Sequence, residues 1–154
     1  MSEVNNPPAG MPRITPYLFY RDVKAALDWL ERAFGFVRKG EPIEMEEGMV
    51  HAEMGYEDGF LMLGTPSDER GGKSPNELPG IHQSLYVYVD DVDAHYQKAV
   101  AEGATTLTEP MDMFWGDRMY AVKDLEGHHW SFSQHVKDVA VEDLLSQAKD
   151  EKSS

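Results

Sequence analysis

The chain says the same thing twice. Tyr17-Leu-Phe-Tyr-Arg-Asp22-Val23, followed by a helical run to Phe34-Gly35, returns as Tyr86-Val-Tyr-Val-Asp-Asp91-Val92, followed by a helical run to Glu102-Gly103. The two Asp-Val junctions lie 69 positions apart and the two glycines 68. The later halves echo as well. Val50-His-Ala52 with Tyr56-Glu-Asp-Gly59 parallels Tyr120-Ala-Val122 with Asp124-Leu-Glu-Gly127. A tandem strand–helix–strands unit is expected to place equivalent positions of both copies around one shared cavity, which narrows where chemistry can occur.

Length and composition bound the rest. At 154 residues, 41% of them hydrophobic, the chain forms one domain or two small fused modules with a real core. No apolar run approaches the roughly 18 residues of a membrane span. The N-terminal residues lack a basic flank and an apolar stretch, so no signal peptide is expected. There are no cysteines. That excludes disulfides, thiolate metal sites and Cys nucleophiles, and it fits a cytoplasmic location. The formal charge of −14 repels phosphate backbones and anionic lipids, so neither nucleic acid nor membrane is an expected partner. It serves solubility, and it also suits a cationic ligand.

Local patterns give the order of elements. Residues 1–12, with three prolines, read as a mobile arm. Module 1 spans 13–64. It has a strand at Ile14–Tyr20 and a helix capped by Asp22 with its stripe at Ala25, Ala26, Trp29, Leu30 and Ala33. Gly35 stops that helix, a short strand follows at Phe36–Arg38, and Met49–Met54 pairs with Phe60–Leu63 across Glu57-Asp58-Gly59. Residues 65–80 are turn and polar chemistry, a linker expected to be mobile. Module 2 spans 81–136. Its strand is Gln83–Val89, its helix carries Val92, His95, Tyr96, Ala99 and Val100 inward, and a short strand is expected at Thr105–Thr108. Asp117–Lys123 and His128–Gln134 form its hairpin. The remaining 137–154 hold an amphipathic helix over about 138–149, on Val139, Val141, Leu144, Leu145 and Ala148, and a charged tail. The order is βαβββ twice, an α+β protein whose helices cover one face of each sheet and leave the other free to curve around a cleft.

At this point the chain resembles a known family. The repeat, the Tyr86-Val-Tyr-Val-Asp-Asp91-Val92 junction and the phrase Trp115-Gly-Asp-Arg-Met-Tyr-Ala-Val-Lys-Asp-Leu-Glu-Gly-His-His-Trp-Ser-Phe132 look like the vicinal oxygen chelate superfamily, in its glyoxalase/bleomycin-resistance branch. The resemblance covers residues 13–136. It implies two tandem βαβββ modules forming a curved mixed sheet around a cleft, the glyoxalase/bleomycin-resistance/dioxygenase fold. The branch holds metal enzymes and metal-free binders alike, so fold does not set function.

The resemblance also implies where a metal would sit: one ligand from the first and one from the last strand of each module, usually His or Glu. Aligned on the Asp-Val junctions and hairpin glycines, those positions fall near Thr15, Met62, Ser84 and Ser131. None offers the anionic or imidazole donor a divalent metal needs, so no metal or other cofactor is expected. His82 and His129 each stand two positions from an expected ligand, on the same strand face, so a relocated site with Glu53 stays open. The six histidines are scattered and no H-E-x-x-H occurs. His95 and His135 read as surface or interface residues, and His128 and His129 as buttresses of the turn.

Strand alternation then gives the cavity lining implied by those positions. Tyr17, Phe19, Phe60, Met62, Tyr86, Tyr88, His129, Ser131 and Ser133 would point inward. His51 and Glu53 share one face of their strand, and alternation leaves open which face. Leu18, Leu85, Val87, Trp130 and Phe132 would pack under the helices. Trp115 closes the cavity mouth or forms a corner with Gly116. Arg118 pairs with Asp117, with Glu109, or with an anionic group on a ligand. No phosphate loop or G-x-S-x-G elbow is present, and Glu44, Glu46 and Glu47 lie in a solvated run.

Aromatic walls without a metal suit a flat or extended organic molecule. The expected function is metal-independent binding of a small aromatic or cationic compound, of the resistance or sequestration type. The expected ligand-binding residues are Tyr17, Phe19, Glu53, Phe60, Met62, Tyr86, Tyr88, Trp115, Arg118, His129 and Ser131. The alternative is a metal-dependent lyase or dioxygenase of the same superfamily. A homodimer is expected, as family members commonly form one.

Overall fold

The computed structural model describes residues 4–152, so the ends of the expected N-terminal arm and C-terminal tail lie outside the described residues. The chain divides into two compact units with the break between Pro79 and Gly80. Each holds one mixed sheet, and three α-helices accompany them.

In unit 1, strand β1 (Tyr17–Phe19) leads into helix α1 (Val23–Phe34). Asp22 starts the helix because its carboxylate accepts the otherwise orphaned Ala25 N–H at 3.0 Å. Gly35 ends it with φ of 78°, a left-handed turn that a side chain would resist. Val23, Ala26, Leu27, Leu30, Ala33 and Phe34 form the buried stripe. Burial of a leucine such as Leu30, with no exposed surface, contributes about 2 kcal/mol. Strands β2 (Val37–Arg38), β3 (Ile43–Glu44), β4 (Val50–Tyr56) and β5 (Gly59–Gly64) complete the unit. The sheet order is β1-β5-β4-β2, with β3 also paired to β4. β1 runs parallel to β5, and every other pair is antiparallel.

Unit 1 differs from the expected βαβββ by β3. Ile43 opposes His51 and Glu44 opposes Val50, at the edge of a run read as solvated. Both β3 residues remain exposed, so no apolar alternation marks the strand; it forms because β4 offers a free edge. Beyond β5, residues 65–80 make two short 3-10 turns, Asp68–Arg70 and Pro75–Glu77. Ser74 is buried, its N–H donates to Glu77, and Glu77 pairs with Arg21 beside β1. The segment is thus joined by Glu77 to Arg21, two residues after β1.

Unit 2 repeats the plan: β6 (Leu85–Tyr88), α2 (Val92–Ala101), β7 (Thr105–Asp112), β8 (Asp117–Lys123) and β9 (His129–His135), then α3 (Val141–Lys152). The sheet order is β6-β9-β8-β7, with β6 parallel to β9. Asp91 caps α2 through the Ala94 N–H as Asp22 caps α1. Asp124 organises the β8–β9 turn. One carboxylate oxygen accepts from the N–H groups of Glu126 and His128, and the other from the Trp130 indole, each at 3.0 Å. That is why the phrase ends in Gly-x-x-Trp: the turn and the core tryptophan are held by one aspartate.

Two boundaries and the placement of one histidine differ from those expectations. β7 extends to Asp112 rather than ending at Thr108, because two register shifts let it follow β8 past Thr106. α3 begins at Val141 rather than near 138, and its Val141 and Leu145 remain exposed on this chain. His95 is not a surface residue. It stacks on Phe132 at 4.5 Å and its Nδ1 meets the Tyr120 hydroxyl at 2.5 Å, since three positions after Val92 a side chain turns back to the sheet.

Candidate functional site

The register of each sheet decides which residues share a face. In unit 1, Tyr17 opposes Met62, Phe19 opposes Gly64, Glu53 opposes Met62 and Gly55 opposes Phe60. Directly opposed residues lie on one face. Tyr17, Phe19, His51, Glu53, Phe60 and Met62 therefore stand together, away from the buried Leu18, Ala52, Met54 and Leu63 under α1. The face of His51 and Glu53, left open by alternation, is the one that carries Tyr17. The two are joined: His51 Nδ1 lies 3.0 Å from the Tyr17 hydroxyl and Nε2 lies 3.4 Å from Glu53. A neutral imidazole protonated on Nε2 accepts from the phenol and donates to the carboxylate.

In unit 2 the same rule collects Tyr86, Tyr88, Ser131, Ser133, His129, Met119 and Asp117 on one face. Trp130, Phe132, Tyr120 and Val122 fill the other, under α2. Tyr86 and Tyr88 are 45% and 58% exposed, with ring centroids 5.5 Å apart in an edge-to-face pair. Their hydroxyls converge on Asp117. Tyr86 donates to its Oδ2 at 2.7 Å and Tyr88 to the same oxygen at 3.1 Å. His135 Nδ1 meets Oδ1 at 2.8 Å, and its Nε2 meets Asp138 at 2.7 Å.

Asp117 is only 2% exposed. Burial alone would lift its pKa. Donors from His135, Tyr86 and Tyr88 outweigh that and hold it below the ordinary 3.8. Asp138 and then Asp117 raise His135 above 6.5, so the imidazolium form is favoured there. Burial, then the bond to Asp117, raises Tyr88 above 10.0. Burial likewise leads the upward shift of Tyr86, so both phenols keep their protons at neutral pH. Ser133 Oγ is buried beside Tyr86 without a well-formed hydrogen bond.

Trp115 reaches this cluster through the β7–β8 turn. Gly116, with φ of 100°, closes the turn by donating to the Met113 carbonyl at 3.1 Å. The Trp115 indole N–H then donates to the Tyr86 hydroxyl at 3.3 Å, and its ring packs edge-on against Phe114. Tyr86 thus accepts from the tryptophan and donates to the aspartate, which fixes both its ends.

The sheet does not bring Arg118 to this face. It follows Asp117 by one residue and therefore points to the other side, where its guanidinium forks onto Asp93 of α2 at 3.0 Å and reaches Asp112 at 3.2 Å. It joins strand to helix. His129 stands opposite Lys123 at the end of β9. Burial first, then Lys123, pushes its pKa below 6.5, so it is a neutral ring at pH 7. Asp117 and His135 were missed as site residues. The available signal was strand parity: Asp117 shares its phase with Ala121 and Lys123, whose partners Ser131 and His129 were already assigned to the inner face.

The donor set at the positions that would hold a metal does not fit one. Met62 lies opposite Tyr17 and Ser131 opposite Tyr86, while Thr15 and Ser84 precede β1 and β6. A thioether and three neutral hydroxyls make a poor site for a divalent cation. Glu53 belongs to unit 1, whereas His82 and His129 belong to unit 2. Among the described residues, no group of three or more His, Asp or Glu side chains is arranged to hold a metal ion. Among the same residues, no helix is long and apolar enough to cross a membrane.

Known proteins similar to this chain point one way. The family model described as glyoxalase/bleomycin resistance protein/dioxygenase superfamily matches residues 10–132. The uncharacterized protein Mb0911c of Mycobacterium bovis is 35% identical over 136 residues, which is 86% of this chain and 90% of that protein. Among solved structures, TioX from Micromonospora sp. ML1 is 33% identical, with a TM-score of 0.62 over 82% of this chain and 100% of its own. A superfamily member from Sphaerobacter thermophilus, 21% identical, has a TM-score of 0.63 over 80% of this chain and 98% of its own, a likeness of fold.

Proposed function

This chain belongs to the glyoxalase/bleomycin resistance protein/dioxygenase superfamily, and from that premise we propose that it is a metal-independent binder of a small aromatic organic molecule, of the resistance or sequestration type. The observation that carries the reading is the aromatic face of unit 2. Tyr86 and Tyr88 expose their rings while Asp117 anchors both hydroxyls, and Trp115 stands beside them. Rings fixed in advance lose little freedom when a planar ligand stacks on them, which is how such a platform gains affinity. A cationic aromatic compound gains further from the π faces and from the chain's acidic surface.

Unit 1 carries a comparable face of its own, with Tyr17, Phe19, Phe60 and Met62 and with Glu53 as a polar contact. Ser131 and His129 add polar groups beside the tyrosines. Neutral donors at Thr15, Met62, Ser84 and Ser131 favour binding over metal chemistry. We assign the protein to the cytoplasm and to a homodimer. The exposed Val141 and Leu145 of α3 are consistent with burial against a second copy, and sedimentation as a monomer at micromolar concentration would remove the dimer.

The test is a titration of the whole chain with a panel of planar neutral and cationic aromatic compounds, followed by tryptophan fluorescence. Trp29 and Trp130 are buried, so Trp115 is the expected reporter. Saturable quenching lost in Trp115→Phe supports the reading. Tyr86→Ala should weaken binding by about tenfold, the scale of one lost stacking contact with some desolvation. No saturable binding across the panel sinks the proposal.

A further inference from the structure

Unit 1 carries a cavity of about 310 Å³ lined by Tyr17, Phe19, Met45, Met49, Ser67 and Arg70, among others. Its volume is at the small end of ligand pockets and suits a compound of about two rings. Tyr17 and Phe19 form one wall, their rings tilted 5.6 Å apart. Two glycines make room for them. A Cβ on Gly64 would run into the Tyr17 ring, and one on Gly72 would stand 3.1 Å from the Phe19 ring. The methionines opposite are adaptable apolar surface.

The rim is set by the segment after β5. Its 3-10 turn, Asp68–Arg70, ends at Gly71 with φ of 75° and delivers Arg70 to the cavity. Two other cations lie in this part of the unit, and both are neutralised: Arg21 pairs with Glu77 and Lys73 with Asp68. Among the described residues, Arg70 has no carboxylate or hydrogen-bond partner for its side chain. Burial raises the Tyr17 phenol and the Arg70 charge opposes it, so the guanidinium field reaches into the aromatic wall. A chain with a formal charge of −14 has carboxylates in excess, yet leaves this arginine unmatched at an apolar mouth.

We propose that this cavity binds a flat or extended apolar molecule bearing an anionic group, its carboxylate or sulfonate paired with Arg70 and its body held between Tyr17, Phe19 and the two methionines. The proposal rests on the reading that the open aromatic faces take a small organic molecule, and it adds the ligand's charge and the residue that selects it. That charge is opposite to the one the acidic surface favours. The local pair decides, because a screening length of about 8 Å at physiological salt mutes distant carboxylates more than a guanidinium in contact. The fork of the guanidinium matches a carboxylate in geometry as well as charge.

The experiment compares two fluorescent probes on the full chain: anilinonaphthalene sulfonate and its uncharged analogue N-phenylnaphthylamine. The wild-type chain should bind the sulfonate more tightly. Arg70→Gln should weaken the sulfonate by about five- to tenfold, less at high salt, as fits an exposed charged pair. The same change should leave the neutral probe within about twofold, and Arg70→Lys should keep part of the preference, since charge without the fork remains. Lys98→Gln, an exposed charge on α2, should change nothing. Sulfonate binding that survives Arg70→Gln, or falls equally in Lys98→Gln, overturns the proposal. Binding of the neutral probe with no sulfonate preference overturns it while leaving the wider binding function standing. Binding of neither probe also overturns it, and the cationic compounds of the wider panel then decide the general binding function.

Discussion

The hydroxyl of Tyr86 donates to Oδ2 of Asp117 across 2.7 Å, joining the parallel edge strand β6 to the inner strand β8 across β9. Tyr88 reaches the same oxygen. A carboxylate buried in a sheet face is costly unless its lone pairs are filled. Here two phenols and an imidazole fill them, and the price of burying Asp117 is offset by the rigidity it gives two exposed rings.

Replacing Asp117 by Ala should therefore destabilise the fold by about 2–3 kcal/mol, the range for breaking a buried charged hydrogen-bond network. The urea midpoint should fall with little change in the slope. The Tyr86 and Tyr88 ring resonances should broaden in the folded protein, because neither hydroxyl keeps its anchor. A midpoint within experimental error of the wild type would show that the network is not stabilising.

Stability should depend on pH from both sides of neutrality. Asp117 is held below its ordinary 3.8, so its contribution is present above that value and lost as pH falls through the lower folded value. His135 is held above 6.5, so its contribution is full below 6.5 and lost as pH rises through the higher folded value. Urea midpoints across pH 3 to 9 (a range of about six units) should trace a plateau that declines at each end. His135→Gln should flatten the alkaline decline and shrink the acid one, because the imidazole is also the leading donor that holds the Asp117 pKa down.

Asp124 is the second aspartate on which the unit depends. Removing its carboxylate in Asp124→Ala strips acceptors from two turn N–H groups and from the Trp130 indole. The expected loss is about 2–4 kcal/mol, because three donors become unsatisfied at once. Thermal melts should show it directly, and near-ultraviolet circular dichroism should report the altered tryptophan.

Gly116 should tolerate no side chain. Its φ of 100° is outside the range L-residues favour, and a Cβ there would collide with the Lys137 carbonyl oxygen. That oxygen belongs to backbone held by donation from Val136 and Lys137 to Gly116 itself. Gly116→Ala should cost about 3 kcal/mol or more from strain and displacement together. Trp115 should then leave Tyr86, visible as a shift in its fluorescence. An unaltered melt would mean the turn can rearrange freely.

The repeat was legible because each copy must solve the same local problems. An Asp is needed to cap each helix, a Gly to stop the first, and a tight turn with Gly to join each hairpin. Those demands act over three or four residues, so they leave fixed spacings in the chain. Period-two alternation likewise told Leu18, Trp130 and Phe132 from Tyr17, Ser131 and Tyr86. β3 left no such mark, since both its residues are exposed and only a free edge on β4 recruits them. His95 fits two readings in the sequence, inner stripe by spacing and surface by polarity, and the Tyr120 hydroxyl opposite decides for the stripe.

The sequence by itself determined the duplication, the helix caps and the two faces of each sheet. Only the tertiary structure decided what meets across strands. It put His51 and Glu53 beside Tyr17, gave Asp117 to the tyrosines and Arg118 to Asp93, and left Arg70 unpaired at the mouth of a cavity. The reason is range. Caps, turns and alternation depend on neighbours in the chain, whereas the pairing of Tyr86 with Asp117, 31 positions apart, depends on the register of three strands, and register is fixed only when the whole sheet closes on its core.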